Sequence, residues 1–202
     1  MKREWVESLR AALADRRAKP IADTDCERRA AVALIVRAFP GGSGEPEALF
    51  VRRAEVEGDP WSGHVALPGG RSESSDRDLM DTALRETLEE TGLRLGREDC
   101  LGRLDDILPW SRRLPAICVT PFVVWLSSAQ EVRENHELAG HLWVPLSALS
   151  NPAGRITLVR PSARKFPAID YEGDVIWGLT FAILEDFLAV LARSRAGGQG
   201  AG

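Results

Sequence analysis

The 202-residue sequence has few cysteines and no long apolar stretch. Its three cysteines, Cys26, Cys100 and Cys118, are far apart, and no C-x-x-C pair occurs. An odd number of cysteines at such spacings argues against a disulfide framework and against a zinc site. We therefore expect three reduced, mostly structural thiols. No run of roughly 18 apolar residues is present, so no typical membrane-spanning helix is predicted.

The sequence also has no excess of basic residues. Its net charge is −4 and its pI is about 5.5, so it has no global positive field that would attract nucleic acid or an anionic membrane. The first residues do not combine a basic segment with an apolar one, as an export signal does. We expect a cytoplasmic protein without nucleic-acid or membrane partners. No Ser-His-Asp or Cys-His pattern predicts a covalent nucleophile.

The remaining composition is that of a globular protein. Hydrophobic residues make up 44% and charged residues 28% of the chain, and this length is enough for one sizeable core. We place a single domain at residues 1–195 and a flexible tail at 196–202. No internal repeat or interdomain linker is visible.

A cluster of carboxylates is the most informative feature. Glu86, Glu89 and Glu90 lie within five residues of a helix predicted at 76–91. At about 100° per residue, Glu89 lies about 60° to one side of Glu86 and Glu90 about 40° to the other. Like charges at these spacings oppose helix formation, so we expect a cation to compensate. Several carboxylate oxygens suit Mg²⁺ or Mn²⁺ better than zinc.

The two ends of this helix and the side opposite the glutamates also carry recognisable signals. Ser75 or Asp76 is a candidate cap for the helix start, and Gly92 a candidate stop. Gly69 and Gly70, just before the helix, permit close approach of the backbone to a ligand. The side expected to pack against the core carries Met80, Leu84 and Leu88.

Hydrophobic patterning predicts the other elements. Helices are expected at 3–17, at 145–149 and, amphipathic and beginning with Trp177, at 176–192. Strands are expected at 30–39, 48–53, 64–67, 101–108, 116–127 and 141–145, with a turn at 40–46. Residues 150–174 are expected to be irregular. This order fits a mixed sheet with helices on both sides, an α/β fold.

The glycine loop and acidic helix resemble the Nudix box, at residues 70–93. The second half of the box, Arg-Glu-hydrophobic-x-Glu-Glu-x-Gly-hydrophobic, is present at 85–93, with Thr87 at the usually hydrophobic position. The acidic position before it is Asp76 rather than glutamate, and its spacing to Arg85 is one residue longer than in the common box. The resemblance implies a Nudix-type α/β/α sandwich with a mixed central sheet.

The longer spacing looks like a branch of Nudix hydrolases that includes coenzyme A diphosphatases. Glu73 and Asp76 occupy its two acidic positions, and residues 63–70 look like its Gly-x-Val-x-hydrophobic-Pro-Gly-Gly segment. The resemblance covers about residues 29–190. One departure is that residues 58–62 lack the Leu-Arg-x-His of that branch.

The resemblance also assigns roles. It implies that Glu86, Glu89 and Glu90, with the Gly70 carbonyl, hold Mg²⁺ or Mn²⁺. Arg85 either touches substrate phosphate or pairs with Asp76 and fixes the loop on the helix. Glu137 is either a base or extra ligand, or an exposed loop charge.

Residues in and around the box are candidates for substrate binding. Trp61 is a candidate to stack on adenine, and Gly69 and Gly70 to approach the substrate. Arg53 and the basic residues at 155–165 either hold phosphates or form solvated surface. His64 points either to the substrate or into the sheet, and Trp110, Trp125 and Trp177 are expected to pack.

The function implied is hydrolysis of a diphosphate linkage, with Glu86, Glu89 or Glu137 as the base. Coenzyme A or acyl-CoA, giving 3′,5′-ADP and (acyl-)phosphopantetheine, is the first expectation. Alternatives are ADP-ribose, NADH or an oxidised nucleoside triphosphate, and a nucleotide-sensing domain with little catalysis. The resemblance also allows a homodimer.

Overall fold

The computed structural model describes residues 2–38, 45–58, 61–109, 116–160 and 164–197. Most of the predicted turn at 40–46, Trp110 and the end of the predicted tail (198–202) lie outside these residues.

The described helices are α1 (Lys2–Asp15), α2 (Leu79–Thr91), α3 (Leu146–Ser150) and α4 (Gly178–Gly197). The described strands are β1 (Arg28–Ala38), β2 (Pro46–Arg53), β3 (Val65–Ala66), β4 (Gly69–Arg71), β5 (Cys100–Arg103), β6 (Ile117–Leu126), β7 (Leu138–Pro145), β8 (Arg155–Val159), β9 (Lys165–Tyr171) and β10 (Asp174–Trp177). Among these described elements, no helix has the length and hydrophobicity needed to cross a bilayer.

The central sheet is mixed, as the sequence predicts. Its main path is β3-β2-β1-β6-β5, β4 pairs with β1, and β7 pairs with β2. Strands β1 and β6 run parallel, whereas the other pairings are antiparallel. Continuous apolar runs form β1 and β6 because both faces of these strands are covered.

The side chains of β1 alternate between two cores. Ala31, Ala33 and Ile35 pack on the α2 side, whereas Leu34 and Val36 pack on the side that holds α1 and α4. This alternation follows from the two-residue period of a strand. The sheet with helices on both faces is therefore an α/β/α sandwich.

Helix α2 packs on β1 through a face other than the predicted one. Its buried residues are Thr82, Ala83, Thr87, Glu90 and Thr91. The predicted core side is wrong: Met80 and Leu84 are only partly buried, and Leu88 is 39% exposed. Small side chains on the helix meet the small Ala31 and Ala33 of β1, which allows close packing of helix on sheet.

The ends of α2 are fixed by Asp78 and Gly92. The Asp78 carboxylate accepts hydrogen bonds from Met80 N and Asp81 N, both at 3.0 Å, so Asp78 is the cap rather than Ser75 or Asp76. Gly92 ends the helix with φ of 70°, the left-handed conformation that glycine adopts without strain. The predicted stop is confirmed.

Residues 150–174 contain two strands, so the predicted irregular segment is wrong. Strands β8, β9 and β10 form a three-stranded antiparallel sheet among the described residues. Trp177 ends β10, and α4 begins only at Gly178, so the prediction that Trp177 begins the helix is also wrong.

Two polar contacts hold this second sheet and α4 beside the central sheet. Arg52 of β2 donates from Nε and Nη2 to the two carboxylate oxygens of Asp174 on β10, each at 2.6 Å. The Thr180 hydroxyl of α4 donates to the Val65 carbonyl oxygen of β3 at 3.2 Å. The second sheet is thereby placed next to the strand that leads into the glycine loop.

The expectation of three reduced thiols is contradicted. Cys26 and Cys118 form a disulfide, with their Cα atoms 5.6 Å apart, and the buried Cys100 is free. Cys26 precedes β1 and Cys118 lies in β6, and the parallel pairing of these strands brings residues 92 positions apart in sequence together. Spacing in sequence does not reveal this proximity.

Candidate active site

The residues predicted for the site come together around one cavity of about 780 Å³. It lies where α2, β3, β4 and the second sheet meet. The predicted residues that line it are Arg53, Trp61, Gly69, Gly70, Arg85, Glu86, Glu89, Glu90 and Glu137.

Gly69 and Gly70 form the floor against which the acidic helix packs. A Cβ atom on Gly69 would lie 2.3 Å from the Ala31 carbonyl oxygen, and the Gly69 φ of 144° disfavours other residues. A Cβ atom on Gly70 would lie 2.5 Å from the carboxyl carbon of Glu86. Glycine at 70 therefore lets the Glu86 carboxylate lie directly against the backbone of the loop.

Arg85 pairs with Asp76, one of the two roles considered from the sequence. Its Nε donates to Asp76 Oδ1 at 2.9 Å and its Nη2 to Oδ2 at 3.1 Å. Asp76 also accepts hydrogen bonds from Glu73 N at 2.9 Å and from the Thr82 hydroxyl at 2.8 Å. The hydrogen bonds from Arg85 hold the pKa of Asp76 far below its usual range. The loop is thus fixed to α2 by a bidentate ion pair.

Arg85 is also the cation that compensates the acidic face in this structure. Its Nη1 lies 3.0 Å from Glu86 Oε1 and 3.3 Å from Glu89 Oε2. Burial raises the pKa of Glu86, although Arg85 opposes that shift. The side chain of Glu89 is 55% exposed and lies on the open side of the cluster.

Glu90 is the most buried of the three glutamates, with 3% of its surface exposed. Its Oε2 accepts a hydrogen bond from Gly69 N at 2.9 Å. Burial raises the pKa of Glu90 to about 7, opposed by that hydrogen bond and by the charge of Arg53 and reinforced by Glu86 and Glu137. Glu137 itself is exposed and close enough for its charge to raise the pKa of both Glu86 and Glu90.

The oxygen donors of this site fit a hard divalent cation. Glu86, Glu89, Glu90 and the Gly70 carbonyl offer only oxygen ligands, and Gly70 leaves the space into which the Glu86 carboxylate fits. Within the described residues, no three His, Cys, Asp or Glu side chains converge in the geometry of a metal centre. Arg85 donates to both Glu86 and Glu89.

The opposite wall of the cavity comes largely from the second sheet, which the sequence pattern does not predict. Trp177 contacts the His64 ring, with centroids 4.7 Å apart, and the Phe166 ring, with centroids 5.5 Å apart. The Arg160 guanidinium carbon lies 4.9 Å from the Trp177 ring centroid. Arg164 lines the same cavity. Only the basic composition of 155–165 pointed to this region.

Trp125 and His141 lie outside the cavity lining. Trp125 packs against Trp5, with ring centroids 5.5 Å apart, as predicted. His141 Nδ1 lies 2.6 Å from Glu134 Oε1.

Comparison with known proteins identifies the family. Residues 27–166 match the family model described as NUDIX domain. The uncharacterized Nudix hydrolase NudL of Yersinia pestis is 33% identical over 161 residues, which cover 78% of this chain and 76% of that protein. An uncharacterized protein of Schizosaccharomyces pombe is 34% identical over 124 residues, 59% of this chain, and the match spans only 38% of that longer protein.

Solved structures share the fold. The Nudix domain of Shewanella oneidensis NrtR, complexed with ADP ribose, aligns with a TM-score of 0.54 at 17% identity, covering 92% of this chain and 97% of that one. A Caenorhabditis elegans Ap4A hydrolase aligns with a TM-score of 0.53 at 20% identity, covering 82% and 98%. With the family match and the acidic helix in place, the chain belongs to the Nudix hydrolases, enzymes that act on phosphoric anhydrides and generally use divalent metal ions.

Proposed function

We propose that this protein hydrolyses the diphosphate linkage of a nucleotide derivative with Mg²⁺ or Mn²⁺, and that its substrate is coenzyme A or acyl-CoA. The products are 3′,5′-ADP and (acyl-)phosphopantetheine. The observation that carries the proposal is the cavity of about 780 Å³ in which the acidic face of α2, the glycine loop and Arg53 meet an aromatic and basic wall. That volume suits a ligand much larger than diphosphate alone.

In this proposal Glu86, Glu89, Glu90 and the Gly70 carbonyl would hold the metal. A bound divalent ion neutralises diphosphate charge and lowers the pKa of water. Arg53, whose charge acts on Glu90, binds a phosphate oxygen. Arg85 is a positioning residue, because its bidentate contact with Asp76 holds the glycine loop against the helix.

The base is a glutamate. Glu86, Glu89 and Glu137 all line the cavity, and each carboxylate can accept the proton of the attacking water. Glu137 is outside the box, on the segment before β7. No covalent nucleophile enters the reaction.

Coenzyme A is favoured by the glycine loop, where Glu73 and Asp76 keep the longer spacing of the coenzyme A diphosphatase-like branch. ADP-ribose, NADH or an oxidised nucleoside triphosphate is the second candidate. It is supported by the absence of Leu-Arg-x-His at 58–62 and by Trp61, which lines the cavity. A sensing domain with little catalysis is disfavoured, because all three box glutamates are present.

The proposal is tested by product release from coenzyme A, acetyl-CoA, ADP-ribose, NADH and 8-oxo-dGTP with Mg²⁺ or Mn²⁺. We expect the coenzyme A compounds to be preferred and Glu89→Gln to lower kcat by about a hundredfold or more, since charge stabilisation at a reacting phosphate is lost. Asp81→Asn is the matched control, because it also replaces a carboxylate of α2 but lies outside the cavity lining.

Three results would contradict parts of the proposal. Preference for a different member of the panel would replace coenzyme A as the substrate. Equal losses in Glu89→Gln and Asp81→Asn would remove the special role of Glu89. Turnover that persists unchanged in excess EDTA would exclude the metal.

A further inference from the structure

The hairpin formed by β8 and β9 presents two arginines to the cavity. Arg160 follows β8 and Arg164 precedes β9, and Arg160 N donates to the Arg164 carbonyl oxygen at 3.0 Å. Both residues line the cavity, and both are largely exposed. They therefore lie at its solvent-facing side, where a doubly charged group can be bound while it keeps part of its hydration.

The two neighbouring basic residues of the hairpin are placed differently. Arg155 donates to Glu185 of α4, with Nη2 2.6 Å from Oε1, so its charge is paired away from the cavity. Lys165 lies next to Arg164 but is not among the described residues that line the cavity. Phe166 of β9 lines the cavity, and Lys165, its neighbour in the strand, points to the opposite face.

Arg160 is held by stacking rather than by an acidic partner. Its guanidinium lies over Trp177, which is itself in contact with His64 and Phe166. In the part of the chain that is described, no carboxylate lies within 4.0 Å of Arg160. A guanidinium oriented by an aromatic ring keeps its N–H groups available for an anion.

The charges with the largest effects on the glutamates belong to other residues. The charged groups with the largest effects on the pKa of Glu90 are Arg53, Glu86 and Glu137, and Arg85 has the largest effect on Glu86. Neither hairpin arginine is among them. In the proposed function Arg53 and the glutamates serve the diphosphate, which leaves the hairpin arginines, on the wall formed by the second sheet, for another part of the ligand.

We propose that Arg160 and Arg164 form a subsite for a second phosphate group of the substrate, a phosphate monoester on the nucleoside. The subsite makes the enzyme selective for nucleotides that carry this extra phosphate. The identity of the ligand rests on the proposed function, since the 3′-phosphate of coenzyme A is such a monoester.

The test measures binding, which does not depend on catalysis. Calorimetric titration compares 3′,5′-ADP with 5′-AMP, which lacks the monoester. We expect 3′,5′-ADP to bind about tenfold more tightly at low salt, the effect of a charge-assisted hydrogen bond at a partly exposed site. In Arg160→Ala the two affinities should become nearly equal, with that of 5′-AMP little changed.

Lys165→Ala is the matched control, because it removes the same charge from the same hairpin on the side away from the cavity. It should preserve the preference for 3′,5′-ADP. Arg164→Ala provides a second variant, and its thermal unfolding is compared with that of the unmodified protein to verify folding.

Four results would overturn the subsite. They are equal binding of both nucleotides by the unmodified protein, absence of 3′,5′-ADP binding up to millimolar concentration, an unchanged preference in Arg160→Ala, and an equal loss of preference in Lys165→Ala. Metal-dependent turnover that requires Glu89, together with equal nucleotide binding, would leave the proposed function standing and remove only the subsite. Tighter binding of 3′,5′-ADP than of 5′-AMP without turnover of any substrate would leave the subsite standing and remove the proposed function.

Discussion

At the scale of single residues, Thr87 is a polar side chain in an apolar environment. It is fully buried on α2, and its hydroxyl has no hydrogen-bond partner among the described residues. A buried unsatisfied hydroxyl costs about 1–3 kcal/mol, whereas valine has the same shape without it. We expect Thr87→Val to raise the free energy of unfolding by about 1 kcal/mol, measured by urea denaturation.

Thr91 provides the matched control for this substitution. It is buried on the same helix, but its hydroxyl donates to the Thr87 carbonyl oxygen at 2.6 Å and accepts from Leu93 N at 3.3 Å. Thr91→Val should therefore lower stability by about 1 kcal/mol. If Thr87→Val destabilised the protein as much as Thr91→Val, the Thr87 hydroxyl would have to be hydrogen-bonded in solution.

Alanine substitutions of Gly70 and Gly92, at the two ends of the box, are expected to affect activity and stability differently. In Gly70→Ala the new methyl group would meet the Glu86 carboxylate at 2.5 Å, so Glu86 must move. We expect kcat/KM to fall at least about tenfold, since displacement of a positioned group by about 1 Å is enough for such losses. The measurement is steady-state hydrolysis of the preferred substrate.

Gly92→Ala should behave in the opposite way. Gly92 has φ of 70°, and an added Cβ would meet Arg133 at 3.4 Å, so space is sufficient but the backbone conformation is disfavoured. We expect a loss of about 1–2 kcal/mol in stability with kcat/KM nearly unchanged. Gly70→Ala with full activity would remove the argument that this glycine exists to accommodate Glu86.

At the scale of elements, the start of α2 predicts a specific pH dependence. Ion pairing with Arg97 and the cap hydrogen bonds lower the pKa of Asp78 to about 2, against about 3.9 in an unfolded chain. The folded state then favours the carboxylate. This stabilisation is complete above about pH 4 and is lost as the pH falls towards 2.

Asp78→Asn isolates this contribution, because asparagine also caps helices well but does not titrate there. We expect the variant to be less stable at pH 7 and the difference from the unmodified protein to shrink between pH 4 and pH 2. Urea midpoints measured across this range test the expectation. Parallel pH profiles for the two proteins would show that Asp78 has the same pKa in the folded and unfolded states.

The elements also show what sequence alone can predict. The apolar runs of β1 and β6 and the box helix are predictable because their patterns are strong. The sequence does not predict strands β8 and β9, because β8 is mostly exposed and β9, the middle strand of its sheet, contains Pro167 opposite Thr157. Proline cannot donate to the ladder and argues against a central strand.

The candidate site shows the same contrast between residues in a strong local pattern and residues brought in by tertiary contacts. Glu86, Glu89 and Glu90 are predictable because a helix of known pitch fixes their relative directions, whereas the role of Gly70 comes from the resemblance to the box. Arg160 and Trp177 reach the cavity only through the pairing of the second sheet and its link from Asp174 to Arg52. Tertiary contacts of this kind leave no local pattern in the sequence.

At the scale of the whole molecule, the disulfide between Cys26 and Cys118 links the segment that leads into β1 to the neighbouring strand β6. It closes a loop spanning 92 positions, and a cross-link of this length restricts the unfolded chain enough to stabilise the fold by about 2–4 kcal/mol. Such bonds persist in oxidising surroundings and are reduced in the cytosol. Stability should therefore depend on redox conditions.

The number of alkylated cysteines and the free energy of unfolding, measured with and without reductant, test this dependence on redox conditions. Unreduced protein denatured in guanidinium should have one alkylated cysteine, Cys100, and three after reduction. Cys26→Ser should lower the free energy of unfolding by about 2–4 kcal/mol, and reductant should then have little further effect. Cys100→Ser leaves the cross-link intact and should retain the response to reductant. Alkylation of all three cysteines without reductant would contradict the disulfide and support the three reduced thiols expected from the cysteine spacing. Stability would then be independent of the redox state.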